Sequence, residues 1–489
     1  MEPIGTITSY FTYIDEETKT VLENVMKAAS DYDDFVSRLG ELVLNTESPV
    51  MVVYFAIHHS ILTLNYKLID QIREKYGGLQ ILGPNLFMSS AFQGKYEDVK
   101  KVHKLADAVL ATNPEDWVAL EMHFMKFEAD MSNYPTTMYQ TSTMDSIRAL
   151  IDGDSRFGLY DAILQDYLAI RAHADGNYDE RIRCINKALR IAEKFDDRLR
   201  VAHFLIRKAN IILNQDRVEA RELLEQAYEV VDSSLRVPAF YEAIIDKLAL
   251  INAVRGEFDM AIRRFLRVVS IRERSGLNSG NASWYLSTLY NIVGEPDSGL
   301  EWASMAEDQL KSRPILMTRA TLNQVWSLIL LKRLSEAQLL LESIRESVLK
   351  SGVEDQLAWL YFVSGIMEMA QGDYQLASSS IEQGLRIYEQ LKAGHLMELI
   401  FLYQLAKTEV YSSMSEDIVS PSLAILEDKA VTEDLPGFLG QVLLLKADIA
   451  LLMNDEDSLR EIVLQLQPLS EKENLQFLKS NYDRLLSKL

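Results

Sequence analysis

Along most of the chain, apolar residues recur at steps of three and four, which is the signature of helices with one buried face. Residues 357–371, LAWLYFVSGIMEMAQ, show the spacing clearly. Leu, Ala, Glu, Arg, Lys and Met dominate long stretches, and all are good helix formers. Proline (11) and glycine (21) are sparse, so strands joined by frequent tight turns are not expected. Several prolines (Pro114, Pro135, Pro238, Pro314, Pro436) fall where the helical spacing breaks, as helix starts or stops. The pattern predicts an all-α chain.

The predicted helices come in pairs. Residues 176–181 read GNYDER, 215–220 QDRVEA, 256–261 GEFDMA, 294–299 GEPDSG, 332–337 KRLSEA and 372–377 GDYQLA, with starts 39, 41, 38, 38 and 40 residues apart. A mostly small residue precedes each phrase (Ala169, Ala209, Ala249, Ser287, Val325, Gly365, then Ala406 and Ala447). Another position follows it (Ala188, Ala227, Val268, Ala306, Ile344, Gly384). In the phrase, glycine stops one helix and an acidic turn starts the next, where the helix N-terminus favours negative charge. The aromatic of the phrase (Tyr178, Phe258, Tyr374) can plug the gap between paired helices, and the small residues let two helices cross closely.

This triple register resembles the tetratricopeptide repeat family: a small residue in helix A, a Gly-x-aromatic turn, then small residues in helix B. The pitch is longer than the usual family unit and is similar to the repeats in sensor domains of maltose-regulator-type proteins. The resemblance implies tandem antiparallel helix pairs forming a right-handed superhelix, an α-solenoid, with about eight pairs over residues 155–489. Departures are Val325 at a small position, Arg181 where Ala is usual, and turns near Ser413 and Asn454 without glycine. Residues 1–154 read as an irregular helical region of degenerate repeats. GKYEDV at 94–99 matches the phrase, and Asp31-Tyr32, Asn65-Tyr66 and Asn133-Tyr134 are eroded copies. Loops are expected at Gly77–Asn85 and Met131–Thr143.

Composition narrows the function classes. Net charge is −22 over 489 residues, which disfavours sequence-independent nucleic-acid binding, although residues 176–275 carry a local excess of three positive charges. The single cysteine, Cys184, permits no intrachain disulfide or thiolate metal cluster and reads as a buried small hydrophobe. The N-terminus lacks a secretory pattern, and the apolar run Val50–Leu62 is too short to span a bilayer. A cytoplasmic protein without membrane insertion is expected.

No catalytic pattern stands out. The seven histidines show no zinc spacing, no phosphate loop or nucleophile elbow occurs, and acid pairs such as Asp33-Asp34, Asp196-Asp197 and Asp455-Glu456-Asp457 fall in turns where capping is the usual role. No enzyme activity, cofactor or metal is expected. Helix A of each repeat should line a concave wall. If the small mark faces helix B, the opposite face carries Asp166, His173, His203, Asn210, Asn214 and Asp246, then Trp284, Asn291, Arg319, Trp326, Trp359 and Tyr403, with Phe362 and Met369 beside them. The groove is thus expected to be polar early and aromatic later. Only Asn210 and Arg319 could contribute to the Lys, Asn and Arg clamp of the family's chaperone-tail-binding subgroup, so that clamp is not supported. The expected function is an adaptor or scaffold for another protein or peptide, with homo-oligomers possible. The alternative is a ligand-sensing regulator binding a small molecule or short peptide.

Overall fold

A computed structural model describes residues 15–84, 86, 99–132, 141–174, 177–213, 215–234, 237–311, 314–391, 395–412 and 420–489. Among them every regular element is helical. The first four helices are α1 (Glu16–Ala28), α2 (Tyr32–Asn45), α3 (Val50–Leu62) and α4 (Tyr66–Tyr76). Next come α5 (Val99–Leu110), α6 (Asp116–Ser132), α7 (Thr141–Gly153), α8 (Tyr160–Ala174) and α9 (Tyr178–Lys194). The middle holds α10 (Arg198–Ile212), α11 (Arg217–Ser234), α12 (Pro238–Val254), α13 (Phe258–Arg274), α14 (Gly280–Val293), α15 (Pro296–Gln309) and α16 (Pro314–Leu330). The chain ends with α17 (Leu334–Ser351), α18 (Glu354–Gln371), α19 (Tyr374–Leu391), α20 (His395–Ser412), α21 (Pro421–Thr432), α22 (Pro436–Met453), α23 (Glu456–Ser470) and α24 (Phe477–Leu486).

From α8 onward the helices pair two by two as the phrase requires. Tyr178, Phe258 and Tyr374 each open the second helix of a pair. The eroded copies at Asp31-Tyr32 and Asn65-Tyr66 do the same work: Asp31 and Asn65 cap α2 and α4, and Tyr32 and Tyr66 are buried. The copies at 94–99 and 133–134 lie mainly outside the described residues, as does most of the expected loop over 131–143. Among the described residues, five of the turns within hairpins place one residue in the left-handed region. Gly256, Gly294 and Gly372 supply it, and Lys332 and Asn454 take the same conformation where glycine is missing. The acid pairs cap: Asp197 accepts from the Arg200 N–H and Asp455 from the Ser458 N–H. The small marks sit where helices cross. A methyl at Gly365 would lie 2.9 Å from the Ala377 carbonyl of α19. The array is built from antiparallel helix hairpins in tandem.

The chain divides into two compact units, the first holding residues up to Ile244 with Ile271–Leu277, the second Ile245–Ser270 with Asn278–Leu489. The second unit closes on itself. Gly437, at the start of α22, donates its N–H to the Arg255 carbonyl at 3.2 Å, across 182 residues of sequence. Phe258 packs there against Phe438 and Phe477, with ring centroids 5.5 and 5.1 Å apart. Helix α24 covers the end of this unit with Leu478, Tyr482 and Leu485. Among the described residues one helix, Pro436–Met453, is long and apolar enough to cross a membrane, and 61% of it is buried inside the protein.

Candidate functional site

The second unit departs from the expected groove. Trp326 and Trp359 are wholly buried and Trp284 nearly so. Trp284 reaches Trp359 two hairpins further on, at 5.9 Å between centroids. Trp326 and Trp359 both meet Phe362 edge-on, and Phe362 stacks on Phe401 at 4.5 Å. The aromatic half of the predicted groove is therefore core: successive A helices approach so closely that their inward rings fill the space between them. Asn291 is buried too and accepts from the Ser327 hydroxyl at 2.9 Å, within a helix-to-helix contact. The indole N–H groups of all three tryptophans lack an acceptor among the described residues.

Three further members of the expected set are half-buried or held by local partners. Arg319 donates to Asp355 at 2.5 Å and lies over the Trp284 ring, 5.5 Å from its centroid. Asp355 also accepts from the Tyr388 hydroxyl at 2.6 Å. Asp246 takes the neighbouring Lys247 ammonium at 3.0 Å. Tyr403 is half-buried, and burial with the nearby Asp448 carboxylate pushes its hydroxyl well above the usual tyrosine range. Asn214 and the His173 side chain lie outside the described residues.

In the first unit two of the expected residues, Asp166 and His203, meet, joined by Arg207, which the sequence reading did not name. On α10, His203, Arg207 and Asn210 stand three and four residues apart and share one face. Asp166 of α8, 7% exposed, takes the His203 imidazole at 3.3 Å and the Arg207 guanidinium at 3.2 Å. Burial alone would raise the Asp166 carboxyl, but Arg207 and then His203 override it and hold it at about 2. The two partners keep 39% of their side-chain surface open, and Asn210 is exposed. His203 also meets the Phe240 ring at 6.1 Å.

A second cluster lies close by and went unnoticed in the sequence. Glu121 of α6, 6% exposed, accepts from the Tyr54 hydroxyl of α3 at 2.5 Å and from the Tyr160 hydroxyl of α8 at 2.7 Å. Tyr54 lies nearly parallel to His58, one turn along α3, and at 6.2 Å to Trp117, one turn before Glu121 on α6. Tyr54, His58 and Trp117 are half-buried. Arg200 of α10 approaches the same place, held by the fully buried Asp197 at 2.5 Å. Burial pushes the His58 imidazole down to about 4, helped by Arg200. Burial also raises the Glu121 carboxyl, against the two tyrosine hydrogen bonds and Arg200. Four helices, α3, α6, α8 and α10, thus contribute to this cluster. The readable signal was two same-face pairs, Tyr54 with His58 and Trp117 with Glu121; their convergence lay beyond sequence periodicity, which is uneven before residue 155.

Cys184 is buried, and burial with the Glu180 carboxylate at 3.4 Å pushes its thiol up to about 11, so it stays protonated and inert. Among the described residues no group of three or more His, Cys, Asp or Glu could hold a metal ion.

No protein-family model matches this chain, and no curated protein matches it in sequence. Solved structures resemble it distantly. A Rap protein complexed with Competence and Sporulation Factor shares 12% identity at a TM-score of 0.45, over 68% of this chain and 98% of that one. A signal-transduction ATPase with a tetratricopeptide repeat sensor, from Pyrococcus horikoshii, shares 13% at 0.46, over 78% of this chain and 55% of its own. Yeast Tom70 shares 11% at 0.34, over 100% and 97%. The assignment of the fold rests on the pairing and period of this chain's own helices.

Proposed function

We propose that this chain is a non-catalytic scaffold that docks a protein or peptide on the inward face of its first unit. The supporting observation is the stripe His203–Arg207–Asn210, whose donors stay open to solvent while a buried carboxylate fixes two of them. Holding long polar side chains in place before binding lowers the entropy lost when a partner arrives. Imidazole, guanidinium and amide at one-turn spacing suit the carbonyls and side chains of an extended segment. The buried ring cluster of the second unit belongs on this reading to stability.

A random dodecapeptide display library, panned on the wild type and on a His203→Ala/Arg207→Ala variant, tests the reading. A motif enriched on the wild type and lost on the variant is expected. Enrichment of no motif, or of one motif equally on both, refutes it.

A further inference from the structure

The seam of the second unit joins elements that stacking alone would leave apart. In a tandem array each hairpin meets its neighbours, so contact between the α12–α13 turn and the starts of α22 and α24 is an added feature. That turn supplies what two distant helices lack. The first N–H groups of a helix have no acceptor inside it, and neither Leu435 nor Gln476 caps its own helix with a side chain. The Arg255 carbonyl accepts from the Gly437 N–H of α22 at 3.2 Å, and the Asp259 carboxylate accepts from the Phe477 N–H of α24 at 3.2 Å. A carboxylate at that end of α24 also suits the positive pole of the helix.

We propose that this turn is a detachable clasp, at which the second unit opens and closes while its hairpins stay folded. The seam is narrow. Among the described residues it holds, besides the two caps, the ion pair of Arg255 with Asp434 at 2.9 Å, in which Asp434 is 78% exposed, and the contact of Phe258 with Phe438 and Phe477. Stacking between neighbouring hairpins seals far more, including the rings of Trp326, Trp359, Phe362 and Phe401. The joint with the least apolar burial yields first. Water replaces a cap or an exposed ion pair at small cost, whereas nothing in water replaces a buried ring. Opening uncovers the Phe258 ring, which is wholly buried, so the closed state stays in the majority. Gly256 and Gly437 let the two backbones meet with no side chain between them, which gives the closed state a fixed register.

Double electron–electron resonance tests this on the full chain carrying Cys184→Ala, with nitroxide labels at Arg263→Cys and Thr432→Cys, exposed positions on either side of the seam. A control pair, Ser304→Cys and Ser335→Cys, occupies exposed positions on α15 and α17 of neighbouring hairpins. Without further change the short distance between 263 and 432 should dominate. Gly437→Ala should enlarge a longer-distance population about tenfold or more, and Asp259→Ala, which removes the cap of α24, about fivefold. The control pair should stay as it is. One unchanged distance between 263 and 432 in both variants would make the seam a permanent joint and overturn the proposal. Broadening of both pairs together, which marks unfolding and not opening, would overturn it too, as would a long distance already dominant without either change. Should Gly437→Ala fail to fold, Asp259→Ala carries the same test, because its half-buried side chain lies at the turn and fills no core.

Discussion

Gly437→Ala should loosen the closure of the second unit, and the structure says by how much. A methyl at residue 437 would lie 2.6 Å from the Gly256 Cα and closer still to its carbonyl. Ordinary carbon contacts need about 3.5 Å, so the two turns must part by roughly 1 Å. Gly256 cannot swing aside freely, because its φ of +73° already holds the left-handed turn between α12 and α13. Such a shift takes the bond from Gly437 N–H to Arg255 carbonyl, now 3.2 Å, beyond hydrogen-bonding range. It also thins the packing of Phe258 on Phe438 and Phe477. Overpacking of this kind costs about 1–3 kcal/mol, and a lost hydrogen bond about 0.5–1.5 kcal/mol. Alanine in a helix is worth up to about 1 kcal/mol over glycine, which works the other way. The clash wins, leaving a net loss of about 2 kcal/mol and a fall in Tm of about 5 °C for a unit of this size. Differential scanning calorimetry reads it, with Gly153→Ala as control, since nothing lies within 4 Å of a methyl there. A Gly437→Ala melt no lower than wild type would refute the reasoning.

Trp326→Ala should cost about 3–5 kcal/mol in a thermal melt, because the ring is wholly buried; a melt matching wild type would return Trp326 to the solvent-facing groove. Asp166→Asn should flatten the acid limb of the stability curve. The folded carboxyl sits at about 2, below its unfolded value of 3.8, so its contribution is present above about pH 4 and is lost as pH falls toward 2. Screening at the half-open partners keeps that contribution near about 1 kcal/mol, measured by urea midpoints across the acid range. Glu121 carries the opposite sign: its folded carboxyl is raised, so the wild type loses stability as pH climbs from the usual carboxylate range through the folded value. Glu121→Gln should therefore gain on the wild type as pH rises, and parallel melting curves across pH would contradict this.

The hairpins were legible because each is specified locally. One left-handed residue, one acidic first turn and one small crossing position recur about every forty residues, and these suffice even where Lys332 or Asn454 replaces glycine. In the first unit Asp166 and His203, both named from the sequence, meet at 3.3 Å across neighbouring hairpins, a contact that the shared period of those hairpins makes readable. Arg207 lies one turn from His203 and completes the triad. The fate of the tryptophans was not legible. Nothing local distinguishes a ring that faces an open wall from one that meets another ring two hairpins on. Glu121 was hidden for a related reason, since its partners Tyr54 and Tyr160 lie 67 and 39 residues away, in helices that share no regular period.

The two units bring different side chains together, and chemistry supports the proposed docking on the first. Inside the second, Trp284, Trp326, Trp359, Phe362 and Phe401 form one contiguous ring cluster, and uncovering it to admit a partner would forfeit the apolar burial that holds its helices together. Inside the first, the helices bring together polar groups: Glu121 with His58 and Arg200, and Asp166 with His203 and Arg207. Polar groups gain little by being sealed away and much by meeting a matching partner. A fold selected only for rigidity would replace the Glu121 network with apolar residues of similar volume, since buried ionic groups contribute less to stability than good packing does. Keeping a carboxylate there orients the Tyr54 and Tyr160 hydroxyls at a cost in stability, which sets the first unit apart from the ring-packed second.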